Sequence, residues 1–268
     1  MTEKINNIGF IGAGKMANAI LSGIIKSGFI GKENIFIYDK NIEASQKTKG
    51  LLSVNISASY EELLKKCEAV LIATKPFVID EVLDNIKEFA GGKLIISILA
   101  GVSTKKIEEK LVSSRVIRVM PNTPALVGAG MSAVCRGESS NEGDRDYVLN
   151  IFSNLGEAIK TDEKYIDIIT AISGSGPAYY YYFIEMMARA GEKLGLDYET
   201  SLKLSSQTAV GAGLMVQKSE ENVSKLIQNV TTPGGCTEVG NNILNASDVE
   251  DVIFRTIKDT RDKAKSLG

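Results

Sequence analysis

The chain has no histidine among its 268 residues. That absence removes His–Asp proton relays, serine or cysteine triads with an imidazole base, and most zinc hydrolase sites. Cysteine is scarce as well. Cys67, Cys135 and Cys236 stand far apart and form no CxxC pair. This argues against zinc, iron–sulfur or dithiol chemistry, so no metal site is expected and each cysteine is expected to be a small buried hydrophobe. Neither charge sign dominates: 31 Lys and Arg stand against 33 Asp and Glu, a net charge of −2. With the basic residues dispersed, the chain shows no electrostatic footprint for nucleic acid or an anionic membrane. A long uncharged apolar run is missing too. The most apolar helical stretch, residues 178–194, carries Glu185, Arg189, Glu192 and Lys193, whereas a membrane span needs ~20 nearly uncharged residues. Residues 1–9 lack the charged-then-apolar layout of a secretory signal. The expectation is a cytoplasmic protein with a small-molecule partner.

What is present is enough apolar material, 44% of the chain, for one large core or two modest ones. Up to about residue 160, short apolar runs alternate with amphipathic segments, as in parallel strands joined by crossover helices. Strands are predicted over residues 5–11, 35–38, 69–74, 93–98, 116–120 and 131–135, and helices over 15–27, 59–66, 78–89, 104–111 and 142–155. Ser59, Ser103 and Asn141 stand where N-caps belong. This is the pattern of a Rossmann-type, doubly wound α/β sheet over residues 1–160. After residue 161 the strand signal stops, and an all-α domain is expected over 161–268. One helix should start at Pro177 and stop at Gly195, another should cover 198–218, and a last one should follow Asp248. The run from Ala178 to Ile184, followed by Met186, Met187 and Ala188, is apolar around most of the helical wheel. Burial on two sides, hence a subunit interface, is the expectation.

The most informative turn is GFIGAGKMA at residues 9–17. It closes a predicted strand and opens a helix, with Gly12, Gly14 and Ala17 in the G-x-G-x-x-A spacing. Gly12 permits the tight turn, Gly14 lets the backbone approach a pyrophosphate, and Ala17 allows close helix–strand packing; Lys15 and Met16 start the helix whose N-terminus offers amide donors. Asp39 ends the second strand, where a carboxylate can accept from the adenosine ribose hydroxyls, which favours NADH. Lys40 follows at once and could pair with a 2′-phosphate instead, so NADPH stays open. Thr74, Lys75 and Pro76 close the third strand, with Lys75 able to reach a cofactor or a substrate anion. Ala100 and Gly101, and Asn122 in MPNTP, are expected on the nicotinamide side.

Two more glycine-rich segments remain: Ser173-Gly174-Ser175-Gly-Pro ahead of one long helix, and TTPGGCT, with Gly234, Gly235, Cys236 and Thr237, ahead of another. Glycines, hydroxyls and a helix N-terminus together can hold a carboxylate. Beside a dinucleotide domain, the pair points to a small acidic substrate.

GFIGAGKMA, ATKP, ILAGVS, RVMPNTPALVGAG, AISGSGPAY and VTTPGGCTE follow one another over residues 8–267. In that order they resemble the pyrroline-5-carboxylate reductase family. The resemblance implies a Rossmann domain followed by a helical dimerisation domain, and reduction of Δ1-pyrroline-5-carboxylate to L-proline with NADH or NADPH, the last step of proline biosynthesis. It also implies interlocked homodimers, often assembled into decamers. The substrate carboxylate would lie against the amides of Gly234, Gly235, Cys236 and Thr237, with the Thr237 hydroxyl facing the ring nitrogen. Three positions depart from the commoner pattern: Lys15 for Asn, Cys236 for Thr or Ala, and Tyr60 near an Asn used for the cofactor ribose. The missing histidine fits this chemistry, because a cyclic imine is basic enough to be protonated without a strong enzymic acid. Two other readings are a β-hydroxyacid-type dehydrogenase, which would need an acid/base lysine such as Lys164 or Lys193, and a non-catalytic dinucleotide-binding module.

Overall fold

The computed structural model describes residues 5–267; of the N-terminal stretch read above for a secretory signal, residues 1–4 lie outside the described residues. The chain forms two compact units, one running to Ser175 and including the residues from Asp259 onward, the other Gly176–Lys258. In the first, β1 (Ile8–Ile11), β2 (Ile35–Tyr38), β3 (Asn55–Ile56), β4 (Ala69–Ile72), β5 (Leu94–Ser97), β6 (Arg115–Met120), β7 (Gly130–Arg136) and β8 (Gly156–Lys160) make one sheet. Their order is β3-β2-β1-β4-β5-β6-β7-β8. Helices α1 (Lys15–Ser27), α2 (Ile42–Leu52), α3 (Tyr60–Lys66), α4 (Ile79–Ile86), α5 (Thr104–Lys110), α6 (Glu142–Ser153) and the single turn α7 (Ile166–Ile169) belong to the same unit.

The central strands are apolar at nearly every position because both faces are covered. Ile8 and Phe10 pack with Ile20, Ile24, Ile37 and Phe152 on one side. Ile11 packs with Leu63, Val70 and Leu83 on the other, and Gly9 sits where a Cβ would come within 3.0 Å of the Leu63 side chain. The expected caps are in place. Ser59 accepts from the Glu62 amide, Ser103 from Lys106, and Asn141 exchanges bonds with Asp144 in a capping box.

Several elements differ from expectation. The sheet is mixed: β7 runs antiparallel to β6, because only a short 3-10 turn, Thr123–Val127, joins them, and such a link returns the chain at the same sheet edge. Helix α2 is absent from the sequence reading because its buried positions, Ser45 and Thr48, are polar and hide its period. Strand β3 is two residues long. Strand β8 lies at the sheet edge with Glu157, Ile159 and Lys160 exposed, the charged pattern that discourages edge pairing. The helix expected from residue 78 begins at Ile79, after a 3-10 turn Pro76–Val78.

The second unit holds α8 (Gly176–Lys193), α9 (Tyr198–Lys218), α10 (Val223–Val230) and α11 (Cys236–Asn245), with α12 (Val249–Lys265) passing out of it at Asp259. Helices α8 and α9 pack on each other. Between 176 and 258 only Gly176, Ala188, Ser201 and Ser205 are buried. Helix α8, read from sequence as buried, is therefore open within one chain: Tyr180 is 68% exposed, Tyr182 65% and Met187 57%. No helix among the described residues is long and apolar enough to cross a membrane.

A unit with no large buried side chain lacks the area burial that offsets chain entropy. Its apolar faces stay uncovered within one chain, as those of a subunit interface would. Sedimentation across a dilution series should find dimers or larger species, with a melting temperature that falls on dilution; a well-folded monomer at nanomolar concentration would contradict this.

Candidate active site

Strand order reverses between β1 and β4, since β1 leads to β2 on one side while β4 continues on the other. The carboxyl ends of the strands beside such a switch point leave a crevice. Here that crevice is a cleft of about 840 Å³. Its lining takes residues from the ends of β1, β2, β4, β5 and β6, among them Gly12, Gly14, Lys15, Met16, Asp39, Lys40, Thr74, Lys75, Pro76 and Ala100.

The glycine turn is held from three directions. Gly12 has φ +105°, and a Cβ there would stand 2.7 Å from the Ala73 carbonyl oxygen at the end of β4. Its N–H donates to the Tyr38 carbonyl at 2.8 Å. The Ala13 N–H donates to Asp39 Oδ2 at 2.7 Å, and the other Asp39 oxygen accepts from Asn41 N–H at 2.8 Å. Asn18, which sequence reading missed, donates its amide to the carbonyls of Ala13 and Gly14; its signal was an amide side chain four residues after Gly14. Gly14 caps α1 without a side-chain bond, and a Cβ on it would meet nothing within 4 Å. The turn is therefore an open cradle at a helix N-terminus, where the first amides lack intrahelical partners. Ala17 is buried behind it in the core.

Other walls carry polar and aromatic groups. The Thr74 hydroxyl is buried with no hydrogen-bond partner among the described residues. Lys75 is exposed at the start of the Pro76 turn. Tyr38 and Tyr60 pack with ring centroids 4.4 Å apart, and partial burial, then Tyr38 and Asp39, raises the Tyr60 pKa. Lys40 is ion-paired with Glu81 of α4, which also lines the cleft.

Two expected cofactor residues lie behind the lining. Gly101 has φ +74°, and a Cβ there would fall 2.5 Å from that of Leu267, so its glycine has a steric reason. Asn122 is 8% exposed. Its Oδ1 accepts from Met131 N–H at 2.9 Å, and its Nδ2 donates to the carbonyl and hydroxyl of Ser173. Ser173 and Gly174 sit in a π-helical turn, Thr170–Gly174, in which Ser175 N–H bonds the Thr170 carbonyl at 2.8 Å. The SGSGP segment is thus not a free helix start, because helical turns precede it; π turns of this kind do often occur at functional sites. A partly buried network in the same unit was also missed by sequence reading. Arg118, 4% exposed, pairs with Glu163 at 3.0 Å, and Glu163 also accepts from the amide and hydroxyl of Thr104. Nothing local in the sequence links these three positions.

In the second unit, Gly234 has φ +73° and Gly235 is the N-cap of α11. The Gly234 N–H donates to Glu238 at 2.8 Å and Gly235 N–H to the Thr232 carbonyl at 2.9 Å. Cys236 and Thr237 follow as the first helical residues, both exposed. The Thr237 hydroxyl makes no hydrogen bond among the described residues and is not the cap. Cys236 is thus not the buried hydrophobe expected, since it opens a helix at the surface of the chain. Cys67 and Cys135 are buried, and burial pushes both thiols up to about 12.

Residues 163–267 match the family model described as pyrroline-5-carboxylate reductase dimerisation. Residues 7–101 match one described as NADP oxidoreductase coenzyme F420-dependent. The chain is 37% identical to a pyrroline-5-carboxylate reductase of Arabidopsis thaliana over 87% of this chain and 85% of the relative. It superposes on the Plasmodium falciparum pyrroline carboxylate reductase, solved with NADP bound, with TM-score 0.87 and 38% identity over 100% of both chains. A structure of the Coxiella burnetii pyrroline-5-carboxylate reductase gives TM-score 0.93 and 32% identity over 99% of both chains. The chain belongs to the pyrroline-5-carboxylate reductase family. Its Rossmann-type sheet and helical C-terminal domain are those of the family. A lysine-based dehydrogenase site is not favoured, because the similarity to pyrroline-5-carboxylate reductases extends along the whole chain.

Because Asp39 braces the turn as well as facing the cleft, Asp39→Ala should weaken both nucleotides, NADH more than NADPH, since NADPH also escapes a carboxylate near its 2′-phosphate. Losing bonds to a charged group at ~1.5–3 kcal/mol each predicts about tenfold or more. Fluorescence titration with both nucleotides measures this, and unchanged affinities would show that the brace is dispensable.

Proposed function

We propose that this chain reduces Δ1-pyrroline-5-carboxylate to L-proline, adding hydride from NAD(P)H to the C=N bond. The observation that carries the reading is similarity to pyrroline-5-carboxylate reductases along both units, from the glycine turn to the start of α11. A dinucleotide suits the residues present: the Gly14 cradle is open, α1 has no side-chain cap, and the Thr74 hydroxyl is buried without a partner among the described residues. When bound, the reduced nicotinamide supplies the hydride. Gly12, Gly14, Lys15, Met16 and Thr74 would hold the cofactor phosphates and sugars, and Asp39 inclines the site toward NADH. Ala100, Gly101 and Asn122 would shape the nicotinamide end.

On the substrate side, the amides of Cys236 and Thr237 at the start of ten-residue α11 would hold the carboxylate, and Gly234 and Gly235, whose own amides are engaged by Glu238 and the Thr232 carbonyl, would shape the turn around it. Ser173, Gly174 and Ser175 would bound the ring. The Thr237 hydroxyl, free of any capping duty, would anchor the ring nitrogen and orient the iminium for attack. Lys75 would add a positive charge beside the anionic reactants. No residue need donate a proton to the carbon centre; the imine nitrogen arrives protonated and leaves as an amine, so positioning supplies most of the rate. Residues 1–160 would serve the dinucleotide, and 161–268 the substrate and a second subunit. A homodimer is the proposed working assembly, with decamers of such dimers the larger form, in the cytoplasm.

Thr237→Ala should lower kcat/KM about 10- to 150-fold, the loss of one hydrogen bond to a charged group. Cofactor affinity and melting temperature should hold, since Gly235 and not Thr237 caps α11. Steady-state kinetics beside a thermal melt tests this; near-normal kcat/KM would remove Thr237 from the site.

A further inference from the structure

We propose that Glu81 of α4 sets the choice between NADH and NADPH by holding Lys40 in an ion pair at the cleft. The inference rests on the dinucleotide-binding reading above and assigns a discriminating residue that lies outside the glycine turn and the end of β2. In Rossmann-type sites the position after β2 reads the adenosine 2′ substituent: a carboxylate accepts from a 2′-hydroxyl, and a basic side chain beside it accommodates a 2′-phosphate. This chain carries both, as Asp39 and Lys40, so the β2 end alone does not decide between the two nucleotides.

The tertiary structure adds a third charge. Glu81, 41 residues further along the chain, hydrogen-bonds Lys40 Nζ, and both residues line the cleft. The neighbouring acids of α4 point elsewhere: Asp80 pairs with Lys106 and Asp84 with Lys110, both on α5. Of these three acids, Glu81 alone lines the cleft. The lysine that could receive a 2′-phosphate is therefore already neutralised. Asp39 keeps its two oxygens on the amides of Ala13 and Asn41, and Glu81 takes the Lys40 ammonium.

A neutral 2′-hydroxyl is indifferent to that balance. A 2′-phosphate, with its ~1.5–2 negative charges, can use Lys40 only by displacing Glu81 or by lying beside it. Glu81 thus competes for Lys40 from within the protein, which is discrimination by a built-in repulsion. The pair is half-exposed, with side chains 55% and 52% accessible, so it contributes little to stability, and its removal should leave the fold intact.

The test is equilibrium titration of the whole protein with NADH and NADPH, without substrate, in wild type, Glu81→Gln, Lys40→Gln and the double variant, each with a thermal melt. Glu81→Gln should raise NADPH affinity relative to NADH by about 5- to 20-fold, as close charge pairs at recognition sites do. Lys40→Gln in the same chain should abolish that gain. A ratio unmoved by Glu81→Gln overturns the proposal, and so does a gain that survives in the double variant, since Glu81 would then act without Lys40. Wild-type protein that binds neither nucleotide would overturn the dinucleotide reading itself, a result distinct from binding with unmoved discrimination.

Discussion

The contact between Gly12 and the end of β4 is the constraint on which the site depends. The chain leaves β1, turns with φ +105° at Gly12, and passes so close to the Ala73 carbonyl that a Cβ would sit 2.7 Å from it. Only glycine allows both the angle and the approach. Because β1 and β4 are neighbours in the sheet while β2 lies on the far side of β1, that turn stands where the strand order reverses. The Tyr38 carbonyl and the Asp39 carboxylate then pin its amides from the β2 side. An open helix start aimed into a cleft follows from these few contacts, and the remaining lining residues are placed by the sheet.

The same sheet explains why charges distant in the chain meet. Strand ends from β1 to β6 gather at one edge, so Lys40 after β2 comes beside Glu81 of α4, and Asn122 after β6 comes beside Ser173. The partly buried Arg118–Glu163 pair does a related job inside the unit, tying β6 to the turn that follows β8. The helical unit follows another logic. Its small residues allow α8 and α9 to pack closely, while Tyr, Met, Leu and Ile remain on the outside of the single chain. Its missing core is a property of the subunit, completed by association.

Much of this was legible in the residue order because the signals are local. The glycine spacing, the apolar runs of β1, β2 and β4, the caps at Ser59, Ser103 and Asn141, and the bounds of α1 and α9 each depend on residues a few positions apart. The family resemblance likewise rests on short motifs. Local signals failed where burial was polar, as at Ser45 and Thr48 of α2, where pairing was minimal, as at β3, and where exposure masked alternation, as at β8.

The sequence by itself determined that this is a dinucleotide-type sheet followed by helices, that imidazole plays no part in its chemistry, and that α8 carries more apolar surface than one face can bury. Only the tertiary structure decided that β7 runs back against β6, that SGSGP is a π turn within a helical run, that Cys236 is exposed, and that Asp39 braces the glycine turn while Glu81 takes Lys40. The division has one physical cause. Periodicity, capping and turn preference are written over neighbouring residues, whereas the partner of a buried or paired charge is set by which strands lie side by side, and no stretch of chain contains that order.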